Sequence, residues 1–264
     1  ATHDARAAQR LGRARAALRQ PEAGLERAST DAGFRSYWRT AGAAPSRIVM
    51  DSPPDREDVR PWLRARDLLE AGGVRVPKVL ARDVDAGFLL LEDLGGPTMA
   101  QVIDDANADA HIDSAITQLL KLQSMSLPDD TVLFGEALLQ RDAGLFEDWY
   151  VRRHLGIELD CGDAERLQLA QRRLMDNALA QARVPTHRDY MPRNLMPVAD
   201  GPAVLDFQDM VVGPIAYDPV SLLRDAFLSW PEARVDAWLR RYHARAIEAG
   251  LPVAGSGGCS CGCH

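Results

Sequence analysis

Lysine is almost missing from this chain of 264 residues: Lys78 and Lys121 are the only two, and arginine supplies the rest of its 31 basic residues. The 38 acidic residues outnumber them and leave a formal net charge of −7. No basic stripe is available to replace phosphate counterions, which excludes a nucleic-acid partner. The richness in Arg and Ala is read as the mark of a GC-rich genome rather than of a special surface. Long apolar runs are absent too: none approaches the roughly 18 residues that span a bilayer, and no charged-then-apolar leader precedes the body. The expectation is a cytoplasmic protein with no membrane partner. Cysteine is scarce in the body, where Cys161 stands alone, while Cys259, Cys261 and Cys263 crowd the last residues. No disulfide framework can be built from that set. The ending 254–264, rich in Gly, Ser and Cys, lacks the two-residue gap of a structural zinc site and reads as a disordered tail.

What is present starts with length. A chain of this size buries about three quarters of its unfolded surface, enough for one large domain or two lobes without staples. The most informative stretch is His187-Arg188-Asp189-Tyr190-Met191-Pro192-Arg193-Asn194, followed by Ala203-Val204-Leu205-Asp206. One short loop carries a proton acceptor and a metal ligand, and a nearby strand end carries a second metal ligand, as phosphoryl transfer requires. In this reading Asp189 orients and deprotonates an acceptor hydroxyl, and Asn194 and Asp206 offer hard oxygens to Mg²⁺ beside the phosphates of ATP. Pro192 fixes a turn that lets Asp189 and Asn194 face the same way. His187 is read as a buttress of the loop rather than a catalyst.

Periodicity organises the rest. Residues 1–20 read as a helix ended by Pro21, and 34–39 with 46–51 as paired strands. A helix over 58–71 carries Pro61 in its first turn and Gly72-Gly73 at its end, and 76–84 with 87–91 form a hairpin turning at Asp85-Ala86-Gly87. From Met99 onward helical spacing takes over, as in Ile112, Ile116, Leu119 and Leu120. The expected domains are a leading helix over 1–20, a first lobe over 21–94, a second lobe over 95–253 and the tail. Between the lobes a Gly-rich hinge is expected to offer backbone groups around Glu92 to Leu94 to a nucleotide. Gly33 falls where a phosphate-covering turn is expected, with a plain turn as the equal alternative.

The loop 187–194, the step Leu205-Asp206-Phe207 and the later Gly213-Pro214-Ile215-Ala216-Tyr217-Asp218-Pro219 resemble the aminoglycoside phosphotransferase family. The resemblance covers about residues 20–253 through scattered blocks. It implies an α+β, two-lobed protein-kinase-like fold, with a small antiparallel-sheet first lobe and a mostly helical second lobe. It also implies ATP and Mg²⁺ as cofactors, and transfer of the γ-phosphate to the anomeric hydroxyl of N-acetylmuramate or N-acetylglucosamine in cell-wall recycling. Asp189 matches the family's catalytic Asp, Asn194 and Asp206 its metal ligands, and Asp218 an acidic residue that supports the loop. Asp209 is either a substrate or metal contact or a solvated carboxylate.

Two departures leave alternatives open, namely another small-molecule phosphotransferase of aminoglycoside type or an inactive nucleotide-binding fold. The strand Ile48-Val49-Met50-Asp51 carries no lysine for the α and β phosphates, and the expected substitute is Arg35, Arg39 or Arg47. The chain also stops short of the helices that follow in the family. The helix Pro231 to Gly250 is therefore expected to expose Trp238, Leu239 and Tyr242. For an acidic sugar such as N-acetylmuramate, Arg193 or Arg224 is the residue type that would meet the carboxylate.

Overall fold

The computed structural model describes residues 2–30 and 34–253, so Gly33 and the Cys-rich tail lie outside the described residues. Its chain clusters into two compact units, Ala1–Val102 with Leu195–Gln208, and Ile103–Asn194 with Asp209–His264. The strip 195–208, which the sequence reading left in the second lobe, thus belongs with the first unit.

The first unit is a five-stranded antiparallel sheet with two helices. Helix α1 (Thr2–Leu18) is followed by β1 (Gly24–Thr30), β2 (Ser36–Ala41), β3 (Arg47–Asp51), α2 (Arg60–Ala71), β4 (Val79–Asp83), β5 (Phe88–Glu92) and the short α3 (Met99–Val102). The sheet order is β1-β2-β3-β5-β4. Period-two alternation puts Val49 and Asp51 of β3 on one face. Val49, Phe88 and Leu90 make a core there with Ala14 of α1, and Leu18 and Trp38 pack against it. Two arginines one turn apart on α1 also reach the sheet. Arg6 lies 4.0 Å from the Phe88 ring centre and Arg10 lies 3.7 Å from that of Trp38. Both guanidiniums converge on the buried Asp51, Arg6 at 2.6 Å and Arg10 at 2.8 Å. The stems supply apolar cover and the heads neutralise a carboxylate with little access to water.

Helix α2 starts with Pro61 in its first turn, where a missing N–H costs nothing, and buries Trp62, Leu63, Ala65, Arg66 and Leu69. Gly87 is a position where only glycine fits: its φ is +72°, and a Cβ there would sit 1.9 Å from the Ser52 carbonyl oxygen. That approach lets the Ser52 N–H donate to the Gly87 carbonyl at 2.8 Å, which ties the end of β3 to the hairpin turn. Past β5, the Arg75 guanidinium holds the Glu92 carboxylate at 2.7 and 2.9 Å, and Asp93 takes Arg39 at 2.7 Å and Ser46 at 2.7 Å.

The second unit is mostly helical. Helix α4 (Ala108–Gln123) is followed by α5 (Glu136–Leu145), a π-helical stretch (Phe146–His154), α6 (Cys161–Ala180), β6 (Arg183–Thr186), then β7 (Leu195–Met196) and β8 (Ala203–Val204) of the first unit's strip, β9 (Val211–Pro214), α7 (Tyr217–Leu223) and α8 (Glu232–Glu248). The centre of this unit is α4, whose Ile112, Ala115, Ile116, Leu119 and Leu122 are buried. Helix α8 packs on it, and this corrects the expected exposure of its aromatic residues: Trp238 and Tyr242 are buried. The Trp238 indole N–H donates to Asp109 at 2.6 Å, and the Tyr242 hydroxyl meets Gln123 at 2.6 Å. Burial pushes the Tyr242 phenol well up, above the normal tyrosine range. By contrast α5 and α6 bury no residue, and Phe146, Trp149 and Tyr150 of the π-helical stretch are exposed.

Candidate active site

Strand β6 is paired with β9 and delivers the chain to His187 with Thr186 and His187 both buried. Gly213 of β9 is what allows the close pairing, since a Cβ there would lie 3.0 Å from the Thr186 hydroxyl and 3.2 Å from Phe134. The loop then folds on itself. The Asp189 N–H donates to Nδ1 of His187 at 3.2 Å, which makes Nδ1 an acceptor. The Met191 N–H donates to the Asp189 carbonyl at 2.9 Å, and the Asn194 N–H closes the short 3₁₀ turn Pro192–Asn194 on the Met191 carbonyl at 2.9 Å. Tyr190 is fully buried, edge-on to His187, and its hydroxyl donates to the Ala115 carbonyl of α4 at 2.8 Å. The loop is therefore anchored to the unit's central helix between its two functional ends.

Beneath it lies Asp218, at the start of α7 and wholly buried. One carboxylate oxygen accepts the His187 N–H at 2.7 Å and the other accepts the Arg188 N–H at 3.0 Å. Burial raises its pKa to about 7; the two N–H bonds oppose that rise and the nearby Asp189 charge adds to it. Arg188 has a positive φ of 78°. A non-glycine residue in that region is strained, and its surroundings must hold it there. The side chain is held as well as the main chain: Arg188 pairs with Asp142 of α5 at 3.1 Å and lies 5.0 Å from the Phe134 ring centre.

The two residues read as metal ligands sit in different units and fit oxygen ligation individually. The Asn194 amide nitrogen donates to the Asp189 carbonyl at 2.9 Å, which leaves its carbonyl oxygen as the free donor atom. Asp206 follows β8 with a φ of 58°, is exposed, and accepts from the Gln208 amide at 2.8 Å through one oxygen only. Its neighbour Phe207 is buried against Trp62 of α2 with ring centres 5.2 Å apart, so the strained Asp is pinned from behind. No cluster of three or more His, Cys, Asp or Glu side chains stands ready for a metal among the described residues. An amide and a carboxylate suit Mg²⁺, which keeps waters and phosphate oxygens for its remaining positions.

The other sequence candidates divide. Glu92 keeps its side chain for Arg75, which holds its carboxyl below the usual range, and its N–H donates to the Lys78 carbonyl at 2.9 Å, so neither is left to a ligand. Asp209 is exposed. Arg224 is bound on both nitrogens to Glu232 at 2.7 and 2.6 Å, while Arg193 is exposed and rests over the Phe227 ring. Of the strand arginines, Arg39 is taken by Asp93 and the Gly95 carbonyl, and Arg47 donates to the Ser46 carbonyl. Arg35 is buried with its Nε 3.1 Å from Glu57. Sequence reasoning missed the part of Asp142, whose place one turn from the end of an otherwise exposed helix gave no signal.

Comparison with known proteins gives the family and the fold. Residues 24–254 match the model of the phosphotransferase enzyme family. The chain is 46% identical over 233 residues to the N-acetylmuramate/N-acetylglucosamine kinase of Pseudomonas aeruginosa, covering 88% of this chain and 69% of that protein. It is 40% identical to the enzyme of the same name from Neisseria meningitidis, over 86% of this chain and 69% of that protein. In fold it is similar to the ADP-bound aminoglycoside phosphotransferase APH(2'')-Ib, with a TM-score of 0.65 at 17% identity over 91% of this chain and 83% of that one. A second likeness is APH(3'')-Id from Streptomyces rimosus with ADP and streptomycin, with a TM-score of 0.59 at 18% identity over 92% and 93% of the two chains. These neighbours share the α+β kinase-type fold implied by the loop and the antiparallel sheet. A family match that runs through the sheet, the loop and the helices that brace it makes the chain a member of the phosphotransferase enzyme family.

Proposed function

We propose that this enzyme transfers the γ-phosphoryl group of ATP to the anomeric hydroxyl of N-acetylmuramate or N-acetylglucosamine, a step of cell-wall recycling in the cytoplasm, where ATP is available. The observation that carries the reading is the state of Asp189. Its main chain is fixed from both sides by His187 and Asn194, its loop is clamped by Asp218 and Tyr190, and its side chain remains partly accessible. A carboxylate so placed accepts the C1 hydroxyl proton as the sugar oxygen bonds to the γ-phosphorus and the bond to the bridging oxygen of ADP breaks. Bound Mg²⁺ would supply charge neutralisation at the phosphates, with Asn194 and Asp206 as its protein ligands. His187 and Asp218 serve the loop's shape and not the proton. The main chain around Glu92 to Leu94 is assigned to the nucleotide base: the Glu92 N–H is held by the Lys78 carbonyl, and among the described residues no main-chain bond to Leu94 is found. Gly33 is assigned to the phosphates, and Arg35, two residues further along the sequence, is the cation assigned beside it. Asp209 is left as a solvated carboxylate.

The test is phosphoryl transfer followed by ³¹P NMR with Mg·ATP and, in parallel, N-acetylmuramate, N-acetylglucosamine and an aminoglycoside. A sugar 1-phosphate signal from either amino sugar is expected. In Asp189→Asn the rate falls by roughly 10²- to 10⁴-fold while Mg·ATP affinity, measured by calorimetry, stays near the parent value. Full activity in that variant, or product from the aminoglycoside alone, overturns the reading.

A further inference from the structure

We infer that Arg193 and Phe227 form the subsite that tells a carboxylate-bearing amino sugar from its neutral counterpart, with Arg193 pairing the lactyl carboxylate of N-acetylmuramate and Phe227 lying against a sugar face. This deepens the function proposed above and rests on it.

Position comes first. Arg193 is the residue before Asn194 in the short turn that begins three residues after Asp189. That turn is bonded back to the Asp189 carbonyl through the Met191 N–H and the Asn194 amide, both at 2.9 Å, so the Arg193 backbone is held in register with the base. A sugar that offers C1 to Asp189 carries its O3 substituent a few ångströms away, within the reach of a long side chain rooted four residues further on.

Charge comes second. The other arginines of this part of the unit are already neutralised: Arg188 by Asp142, Arg224 by Glu232, and Arg234 by Asp105 and Asp109. Arg193 forms no ion pair among the described residues, and its guanidinium carbon lies 5.6 Å from the centre of the Phe227 ring. An exposed guanidinium next to a catalytic loop keeps both arms of its fork for a carboxylate.

The aromatic partner supplies the third argument. Phe227 is 73% exposed, on the loop between α7 and α8, and belongs to no core. The loop that carries it is nonetheless built: the Phe227 N–H donates to Asp225 at 2.9 Å, and the Arg224–Glu232 pair spans the loop's ends. A large apolar ring held in water, beside a cation, offers a flat face to the C–H side of a pyranose and an edge to keep the guanidinium in place. Nothing in the packing of the unit uses that ring.

The experiment measures kcat/KM for both sugars under Mg·ATP and takes their ratio, N-acetylmuramate over N-acetylglucosamine, in the parent protein and in R193A, R193K, F227A and R224A. The ratio is expected to fall by about tenfold to a hundredfold in R193A, mostly through KM of the acidic sugar, because a charge-assisted bidentate contact is lost. R193K recovers part of it, F227A raises KM for both sugars, and R224A keeps the parent ratio. The ratio is insensitive to a loss of folded protein, which lowers both rates alike. An unchanged ratio in R193A, a shift in R224A instead, or a parent enzyme that turns over only the neutral sugar overturns the subsite while leaving the proposed function in place. A parent enzyme that phosphorylates neither sugar overturns the proposed function and the subsite with it.

Discussion

Asp218 makes the stability of this protein depend on pH in a direction opposite to that of an ion-paired carboxylate. In the unfolded chain an aspartate titrates near 3.9; in the fold this one titrates at about 7, because burial favours its neutral form. A folded-state pKa above the unfolded value means that the native state holds a proton the unfolded state has released. The resulting stabilisation is fully present below about pH 4 and is lost as pH rises through 7. Between pH 5 and pH 8 the loss is on the order of 2–3 kcal/mol. The comparison to make is with Asp218→Asn, which cannot titrate. The amide also turns an N–H donor toward one of the two main-chain N–H groups of His187 and Arg188, a cost of roughly 1–3 kcal/mol that does not vary with pH. Urea denaturation of both proteins at half-unit steps from pH 5 to 8 isolates the single group, since every other titration is common to the two. The stability of the parent minus that of the variant should fall by 2 to 3 kcal/mol across the series, with its steepest part between pH 5 and 7. A difference that stays flat within about 0.5 kcal/mol would refute the assignment, because a carboxylate ionised throughout this range gives no slope.

Two further substitutions follow from the same loop and from the sheet. Asp142→Asn removes the charge that holds Arg188 beside Asp189, so kcat should drop roughly tenfold with little change in KM for ATP, as expected when a base is loosened and binding is not; an unchanged kcat in steady-state assays would release α5 from any part in the site. Arg35→Ala should raise the KM for ATP about tenfold, whereas Arg47→Ala should leave it within twofold; the reverse order in the same assay would move the phosphate cation to the other end of the sheet.

Much of this architecture was legible in the chain because local signals agreed with one another. Pro61 and Gly72-Gly73 bracket a helix expected over 58–71 and found over Arg60–Ala71, and the hairpin expected around residues 85–87 is the β4–β5 pair. Strand β1 escaped notice. Its sequence GLERAST has one large apolar residue, Leu25, and a bulge between Arg27 and Ser29 breaks the alternation. The leading helix was visible as a helix, yet the purpose of its arginines was not, since it depends on Asp51 some 41 residues after Arg10 and on the rings of Trp38 and Phe88. The loop itself was readable because its chemistry is compressed into eight residues. Its supports at Asp142 and Ala115 were not, as each is a tertiary contact with no spacing to betray it.

The missing strand lysine is best understood through the register of the sheet. Arg47 pairs with Glu92 and Arg39 with Ile48, so both stand at the end of the sheet where β5 leaves toward Asp93. Ser36 pairs with Asp51 at the opposite end, and Arg35 directly precedes that pair. The phosphate contact proposed for Arg35 starts from this second end, four residues of strand away from Arg47. Arg35 also has an acidic companion, Glu57, just ahead of α2. Protein kinases join a strand lysine to a helix glutamate for the same purpose of holding a cation at the phosphates. In β3 itself that option is closed, because Met50 is fully buried and the carboxylate of Asp51 is already matched by Arg6 and Arg10. An added lysine there would enter apolar packing or compete with two arginines for one acid, and either arrangement costs stability. The proposed cation is therefore Arg35, one strand over, and an arginine suits the place of the lysine because a planar fork can bind Glu57 on one edge and still present N–H groups on another.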